Sequence, residues 1–411
     1  MNKKLFLLLL LISVIVFVNG YDHQFVQKPP ESQYYGEEST RIRINFLKKV
    51  HIGPGARPEV VATKDRVFIV YLDTAIRGEQ AFSVKIYDKD MNNEIAYKIL
   101  VSTSVEYGKP TDIRVASDGQ YLYAFYETVN MNSGKAYLWG AKYRLDDNFD
   151  KVAYTPSPIS AGPIFTAAQL GDEKVDDPIA LIAPDSVFVI TRIKQVSFSK
   201  EVPMVYRVRE FTYDLQTKLS EFDLDLSSVA GGQGRQASAL YYNKHYYMVV
   251  PTTTKSGYYF ESMTTPSDLL LIKFNQDWKI VKSYPISEDP DDVETFVTGF
   301  QIYGSYFFIT YKQGYKQGSK WIFFSPLKVY DQDLNLVLSE IVKKASGKGE
   351  SLRSSLEVTA DRIYVGHSAG QGPPPPNFPE NNYSTGNIGT QTAEIYIYEW
   401  KGDTKKSKKR R

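Results

Sequence analysis

A group of four short strand-like runs recurs along this chain, and this repeat constrains the possible fold more than any other feature. The first copy covers 57–101, where apolar runs alternate with polar turns. Five further copies begin near Pro110, Asp177, Arg235, Glu294 and Arg353. Repeats of roughly 50–65 residues with four strands each are typical of a β-propeller, in which each repeat forms one radial sheet.

The two ends of the repeat region indicate how such a ring closes. The last copy ends at Trp400 after only three strands, and an unmatched strand at 41–50 precedes the first copy. If that strand completes the last copy, no sheet edge stays open. The sequence therefore predicts an all-β, six-bladed β-propeller with four antiparallel strands per blade, closed by the N-terminal strand pairing into the last blade.

The terminal segments differ from the repeats in composition. Residues 1–20 join a basic start to an apolar run, which predicts a cleaved signal peptide, with an uncleaved anchor as the alternative. Residues 21–40 form a flexible polar lead-in, 41–400 the propeller, and 401–411 a basic tail. We expect a secreted or cell-surface protein with no integral membrane segment after cleavage.

The composition excludes several kinds of chemistry. The chain has no cysteine, so disulfides, thiolate catalysis and cysteine-bound zinc are excluded. Its net charge of +2 gives no general attraction to nucleic acid, and we expect no nucleic-acid partner. The four histidines do not have the spacing of metal ligands.

Loop lengths indicate which rim carries function. The turns between the first and second runs, and between the third and fourth, are short in nearly every copy, whereas the loops between second and third runs are long, as at 251–267 and 366–392. Long loops commonly carry binding residues. We therefore expect the ligand at the rim that holds the long loops.

Charged residues recur at or near the first position of the innermost strand, and these positions are predicted to meet at the channel mouth. They are Arg57, Lys109, Asp177, Arg235, Glu294 and Arg353, with Asp112 just inside the second copy. Arginine suits a bidentate grip on a carboxylate, sulfate or phosphate. We predict ligand binding by Arg57, Lys109, Asp177, Arg235 and Arg353. The alternative is that these charges pair with one another and stabilise the channel mouth.

The segment Arg57-Pro58-Glu59-Val60-Val61 resembles the start of the first blade in sialidase-like propellers. The resemblance implies a six-bladed fold in which three arginines surround a sugar carboxylate, here Arg57, Arg235 and Arg353. It also implies that Asp112 donates a proton and that Glu294 assists a tyrosine nucleophile. The repeated Ser-x-Asp-x-Gly-x-Thr-Trp box of that family is absent from this chain.

Two segments match the opening of a calcium loop, Asp88-x-Asp90-x-Asn92 and Asp331-x-Asp333-x-Asn335. The glycine that such a loop needs is missing, and both segments coincide with the repeated turn after the third strand. A structural turn is the favoured interpretation. We expect no cofactor, with Ca²⁺ as the remaining candidate.

Three functions are consistent with these patterns. The first is a secreted or surface propeller that binds a carbohydrate or another anion through the arginines. The second is a sialidase-like glycosidase, or another hydrolase, acting on an anionic glycan. The third is a structural propeller of the cell envelope that binds a protein partner. In each case we expect a monomer.

Overall fold

Strands account for almost all the regular structure of the described residues. The computed structural model describes residues 42–75, 80–164, 172–193, 204–230, 236–253, 267–286, 293–318, 320–344, 353–369 and 391–402. These residues belong to one unit that begins at Ile42. Within these ranges, no helix has the length and apolar character needed to cross a membrane.

The strands are numbered in chain order. They are β1 (Arg43–Ala62), β2 (Arg66–Asp73), β3 (Ala81–Asp88), β4 (Glu94–Ser102), β5 (Lys109–Ser117), β6 (Tyr121–Asn130), β7 (Lys135–Arg144), β8 (Lys151–Tyr154), β9 (Ser160–Pro163), β10 (Glu173–Ile182), β11 (Val187–Ile193), β12 (Val205–Phe211), β13 (Lys218–Asp225), β14 (Ser238–Tyr242), β15 (His245–Thr253), β16 (Ser267–Phe274), β17 (Ile280–Pro285), β18 (Val293–Tyr303), β19 (Tyr306–Gln317), β20 (Lys320–Tyr330), β21 (Leu336–Lys344), β22 (Ser354–Val358), β23 (Arg362–Ala369) and β24 (Thr392–Lys401).

Hydrogen bonding joins these strands into four sheets. One has the order β22-β23-β24-β1-β2-β3-β4, and a second has the order β10-β11-β12-β13. The third has the order β14-β15-β16-β18-β19-β20-β21, with β17 also paired to β16. The fourth has the order β5-β6-β7-β8, with β9 also paired to β7. The protein is thus all-β with a propeller arrangement of four sheets.

The prediction of six separate blades is wrong, because two sheets continue across a boundary between sequence repeats. Strand β1 has 20 residues and pairs with two strands: Arg43–Pro54 with β24 and Gly55–Ala62 with β2. The last and first repeats therefore share one seven-stranded sheet. A parallel residue pair, Ser267 with Val293, joins β16 to β18 and merges the fourth and fifth repeats. The repeat pattern identifies groups of strands correctly but does not show which groups share a sheet.

Most second and third strands are buried on both faces. The run Val67–Leu72 in β2 is an example, with every side chain at most 2% exposed. A strand covered on both faces reads as a continuous apolar run instead of an alternating one. The apolar clusters that cover these strands combine residues of successive repeats, as Phe68 and Ile113 do in one cluster and Tyr206 and Met248 do in another. This packing stacks the sheets face to face.

The first strands of the six sequence repeats contact one another in succession. Strand β1 contacts β5, β5 contacts β10, β10 contacts β14, β14 contacts β18, and β18 contacts β22, which in turn contacts β1. Charged residues at the beginnings of these strands are therefore brought together, although they are far apart in the chain.

The turns after the third strands are Asx turns, as predicted. Asp88 accepts hydrogen bonds from the backbone N–H groups of Asn92 (2.9 Å) and Asn93 (3.0 Å). Asp331 accepts from the N–H groups of Asp333 and Asn335, both at 2.9 Å. One residue of each such turn has a positive φ between 46° and 64°: Met91, Phe149, Leu215, Trp278 and Leu334. These are the hydrogen bonds of a structural turn.

Candidate functional site

The beginnings of three inner strands share an unusual backbone conformation. Arg57 and Asp177 both have φ of 54°, and Gln236 has φ of 50°. These residues occupy matching places in the first, third and fourth repeats. The strand register shifts at two of them, between Ala56 and Glu59 and between Lys174 and Ile179, as a β-bulge does. The left-handed region is costly for residues other than glycine, and such strain concentrates where side chains have a functional task.

Arg57 points its guanidinium at the start of the second repeat. Its Nη1 lies 3.0 Å from Asp112 Oδ2 and donates a hydrogen bond of 2.6 Å to the carbonyl oxygen of Thr111. Its backbone N–H donates to Ser368 Oγ at 2.8 Å. Arg57 therefore ties the first, second and last repeats together.

Arg353 bridges two carboxyl groups from different sheets. Its Nη1 lies 3.2 Å from Asp112 Oδ2 and 3.1 Å from Asp177 Oδ1. Asp112 and Asp177 thus face the same guanidinium nitrogen. The side chains of all three residues are at most 8% exposed. A buried pair of carboxyl groups thus lies at the centre of the site, under one shared arginine.

Asp177 receives two more donors. Arg192 Nη2 lies 3.5 Å from Asp177 Oδ2 and 3.4 Å from Asp176 Oδ2. The amide Nε2 of Gln236 donates to Asp177 Oδ1. Among the described residues, Gln236 Oε1 and Asp176 Oδ1 have no hydrogen-bond partner, although both atoms are buried. These two oxygens are acceptors that the described protein groups leave unused.

Two further buried contacts extend the network along β5. Arg114 forms an ion pair with Glu59. The hydroxyl of Thr111 donates to Glu127 on β6. We call the whole network the hub cluster; its members, all buried, are Arg57, Glu59, Thr111, Asp112, Arg114, Glu127, Asp176, Asp177, Arg192, Gln236 and Arg353.

The two central carboxyl groups have opposite pKa shifts. Burial raises the pKa of Asp112 to about 6, and the positive charge of Arg57 opposes that shift. Burial acts on Asp177 in the same direction, but Arg353 and the hydrogen bond from Asp112 hold its pKa well below the usual value. On acidification the pair therefore takes up its first proton at Asp112, at about pH 6, while Asp177 stays ionised.

The pKa values of other members of the cluster are also shifted. Burial raises the pKa of Glu127 to about 8, and it raises the pKa of Glu59 to about 7 against the attraction of Arg114. Burial and the neighbouring charge of Arg57 lower the pKa of Arg353 to about 10. Perturbed groups of this density are found at functional sites and in structural ion networks.

The structure unites four of the residues singled out from the sequence: Arg57, Asp112, Asp177 and Arg353. Lys109 does not join them, because it is exposed at the start of β5. Glu294 lies in β18 with its backbone paired to Gln313, and its side chain lies outside the described residues. Arg235 also lies outside the described residues.

Seven members of the cluster were not singled out from the sequence: Glu59, Thr111, Arg114, Glu127, Asp176, Arg192 and Gln236. Some of them had a usable signal. Charged residues within otherwise apolar inner strands, such as Glu59 and Arg114, indicate burial with a partner. Arg192 and Glu127 lie on the second strands, and only the pairing of those strands with β10 and β5 brings them to the cluster.

The arginines of the cluster are already engaged with carboxyl groups. Arg57 and Arg353 hold Asp112, Arg192 holds Asp176 and Asp177, and Arg114 holds Glu59. The cluster contains four arginines and five carboxyl side chains, and each arginine lies against at least one of those carboxyl groups. This geometry favours ion pairing among the charged residues over anion binding by the arginines. The sequence left this pairing open as the alternative.

The acidic turns offer no comparable site. Both carboxylate oxygens of Asp88 accept hydrogen bonds from the amide groups of its own turn. Within the described ranges, no group of three or more histidine, aspartate or glutamate side chains is arranged to hold a metal ion.

Comparison with known proteins supports the fold and gives no family. No family model matches the chain, and no curated protein matches it. Among solved structures, the phage phi92 endosialidase aligns with a TM-score of 0.51 at 10% identity, over 88% of this chain and 69% of that one. A GH43 β-xylosidase/α-arabinofuranosidase from a compost microbial metagenome aligns at 0.42 and 10% identity, over 72% and 97% of the two chains. A GH43 endo-arabinanase from Bacillus licheniformis aligns at 0.39 and 8% identity, over 69% and 97%.

The first of these alignments defines the class of protein by its fold: an all-β chain with propeller-like sheets, similar in arrangement to an endosialidase. At 10% identity the likeness concerns the fold alone. Any function must therefore be argued from the hub cluster itself.

Proposed function

We propose that the protein is an exported carbohydrate-binding propeller that holds its ligand at the hub cluster. The observation that carries the proposal is that three strained inner-strand residues meet in one buried network: Arg57 contacts Asp112, and Gln236 contacts the strained Asp177. Backbone strain clusters at active sites and ligand clamps, and groups with shifted pKa values are frequent at functional sites.

The unused hydrogen-bonding atoms support a polar ligand. Gln236 Oε1, Asp176 Oδ1 and Arg114 Nη2 are buried, and no described group is hydrogen-bonded to them. A buried polar atom without a partner costs about 1–3 kcal/mol, so native proteins normally supply one from water or a ligand. Hydroxyl groups of a sugar both donate and accept, and they suit this mixed set.

A cluster of aromatic rings on β7 and the segment before β5 supports a carbohydrate among polar ligands. The ring centroid of Tyr107 lies 4.7 Å from that of Trp139 and 5.2 Å from that of Tyr137, both edge-on. Trp139 Nε1 donates to Thr128 Oγ1 at 3.0 Å, and Thr128 follows Glu127 in β6. All three rings are partly exposed. Amphipathic rings of this kind present a flat apolar surface with polar edges. The endosialidase name of the similar structure agrees with this choice.

The geometry favours binding over hydrolysis by the central pair. Two carboxyl groups that cleave a glycosidic bond stand about 5–5.5 Å apart in retaining enzymes and about 6.5–9.5 Å apart in inverting ones. Asp112 and Asp177 instead both face one guanidinium nitrogen, Nη1 of Arg353, at 3.2 and 3.1 Å. They are therefore proposed to form one unit with Arg353 that holds a ligand, and not the acid and base of a hydrolase.

A glycan array probed with the full chain tests the proposal, and Trp139 fluorescence then measures affinity for each hit in solution. We expect binding that falls at least about tenfold in Asp177→Asn, because the variant lacks the carboxylate at the centre of the network. Trp139→Phe identifies the fluorescence signal. Absence of binding to every glycan, with correctly folded protein, overturns the proposal and leaves the structural, protein-binding role.

Hydrolysis is a second candidate, and Glu127 is the observation that favours it. With a pKa of about 8, this buried carboxyl is protonated at neutral pH and suits a general acid, while Asp177 is ionised. Chromogenic glycosides test this role directly. Turnover that is lost in Glu127→Gln supports it, and turnover unaffected by that change rules Glu127 out.

A further inference from the structure

The segment before β5 is a closed turn that lies against the end of β6. Ser104 and Gly108 exchange two backbone hydrogen bonds, of 2.9 and 3.0 Å, and the backbone N–H of Tyr107 donates to Ser104 Oγ at 2.9 Å. Gly108 has a φ of 83°, and a side chain at this position would collide with the backbone of Val129. The turn can therefore lie directly on β6 only because residue 108 is glycine.

Asn130, the last residue of β6, fixes this turn and the one that follows β6. Its Nδ2 donates to the carbonyl oxygen of Glu106 at 2.8 Å. Its Oδ1 accepts from the backbone N–H groups of Asn132 (3.0 Å) and Ser133 (3.2 Å). Hydrogen bonds within the free protein thus set the position of Tyr107, so a ligand that contacts its ring loses little affinity to the ordering of the turn.

The side chain of Tyr107 joins two rings of β7 into one surface. Its ring lies edge-on to those of Tyr137 and Trp139, and all three rings are partly exposed. Trp139 is paired with Tyr126 on β6, and Tyr137 is paired with Thr128, so the rings of β7 share one face of the sheet. We call Tyr107, Tyr137 and Trp139 the ring platform.

The ring platform lies at the end of its sheet where β5 begins. Thr111 and Asp112 of the hub cluster belong to the first residues of β5, at this same end. The hub residues are buried, whereas the platform is open to solvent. A ligand can therefore reach the ring platform without opening the buried ion pairs of the hub cluster.

We propose that the ring platform is a binding site for a sugar ring, which stacks on it through a face made of C–H groups. This inference rests on the proposed carbohydrate binding and adds a site that the hub cluster does not provide. Aromatic rings offer an apolar surface with polar edges, and covering that surface removes it from water. Three partly exposed rings give much less than the roughly 800 Å² per partner of a stable protein interface, but they suffice for a sugar ring.

Titration calorimetry of the full chain with cellohexaose, chitohexaose and β-1,4-galactohexaose tests the proposal, since the rings of all three present C–H faces. For the probe that binds most tightly, Tyr107→Ala should lower the affinity about three- to tenfold, as expected for the loss of an aromatic contact. Tyr107→Phe, which keeps the ring, should recover most of that loss. Thermal melting verifies that the variants are folded.

Tyr303→Ala is the matched control. Tyr303 is 37% exposed and lies edge-on to Trp400, with ring centroids 5.5 Å apart. It ends β18, far from the beginnings of the inner strands. A folded Tyr303→Ala should bind the probe with the affinity of the original protein.

Quenching of tryptophan fluorescence by acrylamide gives a second measure that does not depend on affinity. A sugar stacked on the platform covers Trp139, so a saturating probe should reduce the quenching in the original protein. The reduction should be absent in Trp139→Phe. Trp278 and Trp400 are buried, and a sugar on the platform does not change their exposure.

The outcomes separate the ring platform from the hub cluster. A probe that binds the original protein and folded Tyr107→Ala equally well overturns the platform and keeps carbohydrate binding. A loss of affinity in Tyr107→Ala, without one in Asp177→Asn, supports the platform and overturns the hub cluster as the ligand site. If none of the three probes binds, the inference is wrong and a protein partner becomes the occupant, while other hits on the glycan array would still support the proposed function.

Discussion

Asp112 and Asp177 share one arginine, although they belong to different sheets. Arg353 Nη1 lies 3.2 Å from Asp112 Oδ2 and 3.1 Å from Asp177 Oδ1, and it is separated from Asp112 by 241 residues in the chain. Three sheets therefore depend on one guanidinium, because Arg353 precedes β22, Asp112 lies in β5 and Asp177 lies in β10.

The first prediction concerns the stability that Arg353 contributes. Arg353→Met should lower the free energy of unfolding by about 3–5 kcal/mol, because it leaves two buried carboxyl groups with less compensation. Urea denaturation followed by tryptophan fluorescence measures the change. Arg207→Met is the control: Arg207 pairs with Asp223 at 2.8 Å on a largely solvated surface, and its loss should cost no more than about 1 kcal/mol. Equal costs for the two variants would contradict the central role of Arg353.

The second prediction uses the buried histidine of β23. His367 is fully buried, neither ring nitrogen is hydrogen-bonded to a described group, and burial, with the charge of Lys343, lowers its pKa from 6.5 to about 3. Between these two values the unfolded chain binds more protons, so stability is lost as the pH falls below 6.5.

His367→Met should remove this pH-dependent contribution to the free energy of unfolding. Relative to the variant, the original protein should lose up to about 1.4 kcal/mol of unfolding free energy per pH unit on acidification below 6.5. His245→Met, whose imidazole contacts Asn243 at a partly exposed turn, should leave the acid sensitivity unchanged. If the unfolding free energy of the original protein and of His367→Met changes with pH in parallel, His367 gains its proton at the same pH in the folded and unfolded states, and the prediction is wrong.

The third prediction concerns Glu127, for which the dependence of stability on pH has the opposite sign. Burial raises the pKa of Glu127 from 4.5 to about 8, so the folded protein binds the extra proton between these values. Stability from this group is present at low pH and is lost as the pH rises through the window. Glu127→Gln, which keeps the shape without titrating, should flatten the decline in unfolding free energy between pH 4.5 and 8. Denaturation curves across that range measure it, and an unchanged slope contradicts the prediction.

The fourth prediction separates a turn from a calcium site. Asp331→Ala should cost about 1 kcal/mol, because two backbone N–H groups lose their acceptor. Asp331→Asn should be close to neutral, since Asn275 already occupies the matching place in another repeat and accepts from Asp277 and Lys279. Melting temperatures with calcium or a chelator measure this. Calcium stabilisation that disappears in Asp331→Asn would instead support a metal site.

Much of the local structure was predictable, because it depends on contacts between residues that are close in the chain. The Asx turns join residues that are two to five positions apart, so the sequence displays donor and acceptor side by side. The repeated groups of strands were visible for the same reason. The number of sheets was not, because the long strand β1 and the pair Ser267–Val293 connect groups that the repeat pattern shows as separate.

Part of the candidate site was likewise predictable from the sequence, and part was not. The charges of Arg57, Asp112, Asp177 and Arg353 were predicted to meet, and they do. Their pairing with one another, and the inclusion of Arg192 and Glu127 from second strands, could not be read from the chain. An ion pair depends on distances of a few ångströms between groups brought together by sheet stacking.

The sequence by itself determined where strands and turns form and which inner-strand positions carry charge, because apolar alternation and turn chemistry act between near neighbours. Only the tertiary structure decided that strands of adjoining repeats share sheets, and that the hub arginines face carboxyl groups instead of open space. Those outcomes depend on contacts between residues that are hundreds of positions apart in the chain. A buried charge without a partner is costly, so the charges that meet in the interior form pairs.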